Sequence, residues 1–467
     1  LLAGCSGEGE RGGAGASGPR TPPATSRQEI VRAAAGKNLL IVLVDAAAAR
    51  HLGCYGYDRD TTPGLDRLAA ESVLFEQAYA QASGTMLSVY SFFTSRYPVF
   101  PRGTVISPTT VLRIPPEAVT IAEFMAARHP HRLGFTANTW LKSSFGHASG
   151  FTEYRQLWDL PSRPDGADPA DEDMIPPSLA FLRAHADEGF FAYLHFLRPH
   201  SPYDAPEPFL SRFAEDGIDP AEGTVAAIRA LRERPPDAAR RARLVAMYDG
   251  NLAAIDHAIG AMIDSLRADG IWDQTICVLM ADHGQAFFEH GVTGHGGPPY
   301  EEQIHVPLIF RVPGVPGLAG RRVRTPVELV DLLPTLLDLL DIPAGDHPLA
   351  GRSLLPLMAG EDDGAPPRPV FSRSNRKRHA VYAIRLGDLK LIHWAVERKQ
   401  QLYDLAEDPW ETRDLLREGR PPAADLLLKR LQAWMRSGWE DGEVATEGME
   451  AFSEKEIERL RALGYVR

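Results

Sequence analysis

Leu39-Leu40-Ile41-Val42-Leu43-Val44-Asp45 is an apolar run closed by a carboxylate. It follows the polar pair Lys37-Asn38 and is too short to cross a bilayer, so it predicts a strand buried on both faces of a parallel sheet. Thr275-Ile276-Cys277-Val278-Leu279-Met280-Ala281 repeats the pattern and ends in Asp282-His283-Gly284. A third run, Phe190-Phe191-Ala192-Tyr193-Leu194-His195-Phe196-Leu197, delivers Arg198-Pro199-His200-Ser201-Pro202-Tyr203 to a loop. Open α/β folds bind ligands at the carboxyl ends of their strands. Asp45 and Asp282, far apart in sequence, can therefore meet at one edge.

From Lys37 to about Pro369, strand-length apolar runs alternate with helix-like segments, the pattern of a largely parallel central sheet sandwiched by helices. The charged stretch from Pro206 to Ala246 reads as an exposed, helix-rich cover. Beyond Val370, Ala380 to Arg385, a Gly387-Asp388 turn and Leu389 to Trp394 predict a β-hairpin, followed by a helix over Ala424 to Arg436. The expected organisation is a linker over 1–36, an α/β unit over 37–370 and a small C-terminal α+β subdomain over 371–467.

The chain has 467 residues, enough for a large core, and a formal charge of -12 with mixed signs along its length. That balance leaves no basic footprint for nucleic acid. Its three cysteines form no disulfide framework. Leu1-Leu2-Ala3-Gly4-Cys5-Ser6 resembles a lipobox, in which the cysteine is acylated after signal cleavage, and most of the apolar leader would precede Leu1. Gly7 to Arg27, rich in Gly, Ser, Pro and Ala, reads as a tether behind it. A lipid anchor at Cys5, and a place in a bacterial cell envelope, periplasmic or at the surface, are the expectations; Cys5 also reads as an ordinary residue of a ragged terminus.

Further motifs carry a family resemblance. His51-Leu52-Gly53-Cys54-Tyr55-Gly56-Tyr57, Thr62-Pro63-Gly64-Leu65-Asp66-Arg67-Leu68-Ala69, Glu289-His290-Gly291, Gly294-His295-Gly296 and Tyr300-Glu301-Glu302-Gln303-Ile304-His305-Val306-Pro307 occur in the order found in sulfatases of the alkaline phosphatase superfamily. Ser83-Gly84-Thr85-Met86-Leu87-Ser88-Val89 resembles the sulfatase signature C/S-x-P-S-R, with Thr85 at the nucleophile position. The resemblance covers nearly everything after residue 36.

What it implies is an ester hydrolase or transferase holding one divalent metal ion on Asp45, Thr85, Asp282 and His283. A hydroxyl needs such a cation, or a base, to become nucleophilic near neutral pH. The ion could be calcium, zinc or manganese; an Asp-His pair admits the softer two. His200 and His295 are the implied catalytic groups, binding ester oxygens and protonating the leaving group. Arg198, His195 and Lys142 are candidate substrate contacts. Each residue also has a plain structural reading: a strand-end Asp caps a helix, His195 can be a satisfied core histidine, and Lys142 a solvated one.

True sulfatases oxidise Cys or Ser to formylglycine. Threonine, with a methyl on Cβ, cannot become that aldehyde, so no formylglycine is expected and a Thr85 ester must be released by water or another acceptor. Phosphate esters suit that path, although the family pattern also admits sulfate, and the organic part could be a small molecule, glycan or lipid. Several positions depart from the pattern: Ala46-Ala47-Ala48-Ala49 replaces an acid-bearing stretch, Val89 replaces the signature arginine, and Arg198 an aspartate. These changes support an alternative reading as a catalytically silent, metal-binding envelope protein.

Overall fold

The computed structural model describes residues 25–98, 111–214, 217–361, 367–374, 380–437, 445–447 and 452–463. Cys5 and nearly all of the expected tether lie outside the described residues.

Eight strands build the central sheet: β1 (Asn38–Val44), β2 (Val73–Phe75), β3 (His131–Thr136), β4 (Glu153–Gln156), β5 (Phe190–Phe196), β6 (Thr275–Met280), β7 (Leu308–Arg311) and β8 (Arg321–Val323). Their spatial order is β8-β2-β7-β6-β1-β5-β3-β4. Only β7 runs against its neighbours. The three apolar runs read from sequence form β1, β5 and β6, the centre of the sheet, and every residue in them is buried. Continuous apolar character is what a strand covered on both faces requires.

The helices fall into two packed groups. Helices Arg27–Ala34, Thr85–Thr94, Leu332–Leu339 and Leu355–Ala359 contact one another, and the 31-residue helix Ala238–Ala268 packs on Pro63–Ala70 and Ile175–Ala184. One continuous apolar cluster joins them to the sheet. The segment from Pro206 to Ala246 holds short helical turns and the start of the long helix; its described charged residues are exposed or half-buried while Leu210, Leu231 and Leu244 are buried.

Past residue 369 the chain forms a four-stranded antiparallel sheet of β9 (Val370–Arg373), β10 (Val381–Leu386), β11 (Leu389–Trp394) and β12 (Lys399–Asp404). Gly387, at φ 61°, makes the sharp turn between β10 and β11 that a Cβ would oppose. Helix Pro422–Ser437 lays Ala424, Leu427 and Leu431 on Ile384, Leu391 and Leu402 of that sheet. The last helix, Glu454–Ala462, returns to the main unit, where Phe452 and Leu460 pack with Trp140 and Phe145. The end of the chain thus braces the larger unit.

Candidate functional site

Strand register creates the site. Thr136 of β3 pairs with His195 of β5, His195 with Leu43 of β1, and Leu43 with Met280 of β6, so these four residues lie in one row across the sheet. Side chains two residues further on share a face. Two residues beyond that row lie Asn138, Asp45 and Asp282.

Thr85 reaches them from helix Thr85–Thr94, which starts abruptly after the extended Gly84 and stops where Ser95 turns left-handed at φ 50°. Ser88 Oγ donates to the main-chain oxygen of Asp282 at 2.6 Å, and Ser83 Oγ to that of Gly297 at 2.7 Å. These bonds hold the first helical turn between the strand end and the loop that carries His295. The helix N-terminus also places partial positive charge near the Thr85 hydroxyl.

His283 Nδ1 donates to the carbonyl of Gly284 at 2.9 Å, which leaves Nε2 with its lone pair. That nitrogen stands 3.2 Å from Thr85 Oγ1, 3.6 Å from Asp45 Oδ1 and 3.5 Å from Asp282 Oδ2. Both carboxylate oxygens are shut from solvent and have no hydrogen-bond partner among the described residues. A buried carboxylate oxygen facing an imidazole lone pair is strongly unfavourable unless a cation lies between them. The donor set of two carboxylates, one imidazole and one hydroxyl therefore fits a divalent metal, with Asp45, Asp282, His283 and Thr85 the residues that would hold it.

The other atoms of the two acids are fully engaged. Asp45 Oδ2 accepts from Asn138 Nδ2 at 2.6 Å and from His195 Nε2 at 2.9 Å. Asp282 Oδ1 accepts from the amides of Ala46 and His283 at 3.2 and 3.0 Å. Burial pushes the Asp45 carboxyl up, but the hydrogen bond and charge of His195, with His200 and His283, outweigh it and hold the group at about 2. Asp282 is raised, by burial first and the Asp45 charge second. Two like charges this close share one environment, and they titrate as a pair.

His200 and His295 pack beside this cluster. The His295 ring stacks on His283 at 4.5 Å and lies 4.8 Å from His200. Gln285 Oε1 meets His295 Nδ1 at 3.3 Å and its amide donates to the Tyr203 hydroxyl at 2.6 Å, so Gln285 orients His295. His200 Nδ1 donates to the Ser201 carbonyl at 2.6 Å, and burial lowers its pKa.

Three sequence-based substrate contacts sit elsewhere in the network. His195 is wholly buried behind Asp45, with Nε2 on the carboxylate and Nδ1 accepting from the Tyr193 hydroxyl at 2.8 Å, which makes it a buttress of the acid. A ring nitrogen of His195 lies within 4.8 Å of carboxylate oxygens of Asp45 and Asp282, but with both nitrogens engaged it offers no lone pair to a cation. Arg198 turns to Glu172 at 2.8 Å and to Asp204 at 3.5 Å, which neutralise it. Lys142 bonds Glu456 of the last helix at 2.7 Å.

Sequence reasoning passed over Asn138 and Tyr248. Asn138 bridges Asp45 and, at 3.4 Å, Thr85 Oγ1. Its signal was its place just past the carboxyl end of β3, a strand with two polar residues at its start. Tyr248, on the long helix, accepts from the Ala48 amide at 3.0 Å and donates to the Ala46 carbonyl at 2.9 Å. The alanine stretch is thereby held in a tight loop, with Ala46 at φ 58° and all four alanines at most 1 % exposed. Val89 is likewise fully buried.

Comparison with known proteins agrees with this architecture. The Sulfatase family model matches residues 37–342, and a model described as N-sulphoglucosamine sulphohydrolase, C-terminal, matches 298–436. An arylsulfatase of Clostridium perfringens is 25% identical over 90% of this chain and 99% of its own length. Arylsulfatase A of Homo sapiens is 26% identical over 85% of this chain and 87% of its own. The fold is that of the phosphonate monoester hydrolase of Agrobacterium radiobacter, with TM-score 0.67 and 20% identity over 90% of this chain and 98% of that one.

Proposed function

This chain belongs to the sulfatase family of ester hydrolases, and from that premise we propose that it cleaves phosphate or sulfate esters with Thr85 as nucleophile and one divalent metal ion as cofactor. The observation that supports this most is the convergence of Thr85 Oγ1, His283 Nε2 and the two unpartnered carboxylate oxygens. A bound cation would supply Lewis acidity, favouring the ionised hydroxyl and screening the ester's charge.

The residues divide the remaining work. Asn138 and the helix N-terminus orient and polarise the Thr85 hydroxyl. Thr85 Oγ forms a bond to phosphorus or sulfur as the bond to the leaving oxygen breaks, and that oxygen takes a proton from His200 or His295. Burial lowers the pKa of His200 and disfavours its charged form, which an incoming anion favours. Water then attacks the same phosphorus or sulfur and Thr85 regains its proton, so the sum is ester plus water giving alcohol plus acid. Phosphate and phosphonate esters suit this release, since threonine cannot expel the group by forming an aldehyde.

The decisive experiment compares wild type with Thr85→Ala on aryl phosphodiesters, phosphonate monoesters and aryl sulfates, with added calcium, zinc or manganese. Turnover should fall by roughly a thousandfold or more, and mass spectrometry of quenched wild type should find the ester on Thr85. Unchanged turnover in Thr85→Ala would remove this residue from the mechanism. A second reading, a silent metal-binding protein, draws on the buried Ala46 to Ala49 and Val89, which bring no charge to positions where the family pattern has it. It predicts bound metal with no turnover on any substrate class. Envelope attachment through Cys5 belongs to the same proposal, and Cys5→Ser should abolish labelling by a fatty-acid analogue in cells.

A further inference from the structure

We propose that His131, His185 and Glu188 form a second metal-binding site, for a zinc-like transition-metal ion, at the opposite edge of the sheet from the catalytic cluster. His131 opens β3, His185 ends helix Ile175–Ala184, and Glu188 lies in the turn that leads into β5. His131 pairs in register with Phe190. The stretch from Phe190 to His195, at about 3.3 Å per residue, sets this cluster roughly 16 Å from the Asp45 neighbourhood. The two sites share no residue.

Each of the three side chains offers a donor atom, and these atoms lie within 4.8 Å of one another. His131 Nε2 already meets Glu188 Oε2 at 2.6 Å. The two imidazole rings stack at 3.7 Å and 14°, and Phe181 meets His185 edge to face at 4.7 Å. His185 Nδ1 is shut from solvent and has no hydrogen-bond partner among the described residues. Amides of Glu188 and Gly189 both bond the His185 carbonyl, so the backbone carrying two of the ligands is one tight turn.

Tetrahedral donors about 2.0–2.1 Å from zinc stand about 3.3 Å apart, so the His131 and His185 rings, stacked at 14°, would turn out of their stack to aim both nitrogens at one ion. Two imidazoles and one carboxylate form a nitrogen-rich set that suits zinc, cobalt, nickel or copper over magnesium or calcium. The Glu188 side chain is 64% exposed, which leaves a fourth position open to water. A metal here would tie the start of β3, the end of the helix and the entry to β5 into one unit. Those two strands lead to Asn138 and His195, so the tie steadies the partners of Asp45 from behind.

Chelator-stripped full-length protein should be titrated with zinc by calorimetry and with cobalt by visible absorption. The expected stoichiometry is two ions for wild type, one for His131→Ala and for His185→Ala, and one for the double variant Asp45→Asn/Asp282→Asn. Glu188→Gln changes an exposed group and leaves the fold alone; it should weaken the second site at least tenfold. Equal stoichiometry and affinity in wild type, His185→Ala and Glu188→Gln would overturn the second site, showing the cluster to be an ion pair with stacked rings. Retention of one ion in His185→Ala with none in the Asp45→Asn/Asp282→Asn background would also overturn it while leaving the catalytic metal intact.

Discussion

Ser88 Oγ donates to the main-chain oxygen of Asp282, binding the helix that presents Thr85 to the strand end that presents the acid. Both groups are fully buried. Replacing Ser88 by Ala should therefore remove about 1 kcal/mol of stability. Turnover should drop further than that loss explains, because a slightly displaced nucleophile loses alignment. Denaturant melts and kcat/KM on the same preparation measure both; a fall in stability with unaltered kcat/KM would show that the bond serves packing alone.

Removing the cation should affect structure as well as rate. Without it, the facing oxygens of Asp45 and Asp282 are two buried like charges, and protein stripped by chelator should melt at a lower temperature and regain both melting point and turnover when metal is restored. Asp45→Asn should lose affinity for this ion while lessening the repulsion, so its melting temperature should respond less to chelator than that of wild type. A response equal to wild type would place the stabilising ion elsewhere.

Tyr248 tests whether the alanine loop is held or merely fits. Phenylalanine keeps the ring but leaves the Ala48 amide and Ala46 carbonyl unpaired in a dry interior. Stability should fall by about 1–3 kcal/mol. The Ala46 amide supports Asp282 Oδ1, so metal affinity should weaken with it, read as a higher dissociation constant in the same titrations.

Asp256 gives a pH signature outside the site. Its carboxylate accepts the amides of Gly64 and Leu65 and caps helix Pro63–Ala70 from the long helix. Burial dominates nonetheless and raises its pKa from 3.8 to about 6. The folded chain thus holds a proton more tightly than the unfolded one, so this group's contribution is complete below pH 4 and is lost as pH rises through 6. The loss amounts to about 3 kcal/mol. Asp256→Asn should flatten that part of the profile in urea melts from pH 4 to 7; a profile parallel to wild type would refute the assignment.

The central strands, the acids at their ends and the hairpin around Gly387 are legible along the chain, because apolar periodicity and turn chemistry are local properties. Tertiary structure alone decided which side chains meet. Strand pairing put Asn138 and His195 on Asp45, and helix packing brought Tyr248 to a loop some 200 residues earlier. It also turned Arg198 and Lys142 toward Glu172 and Glu456. Such partners depend on the order and register of strands distant along the chain, and a charged side chain goes to the nearest opposite charge that folding supplies. No reading of neighbours in sequence contains that distance.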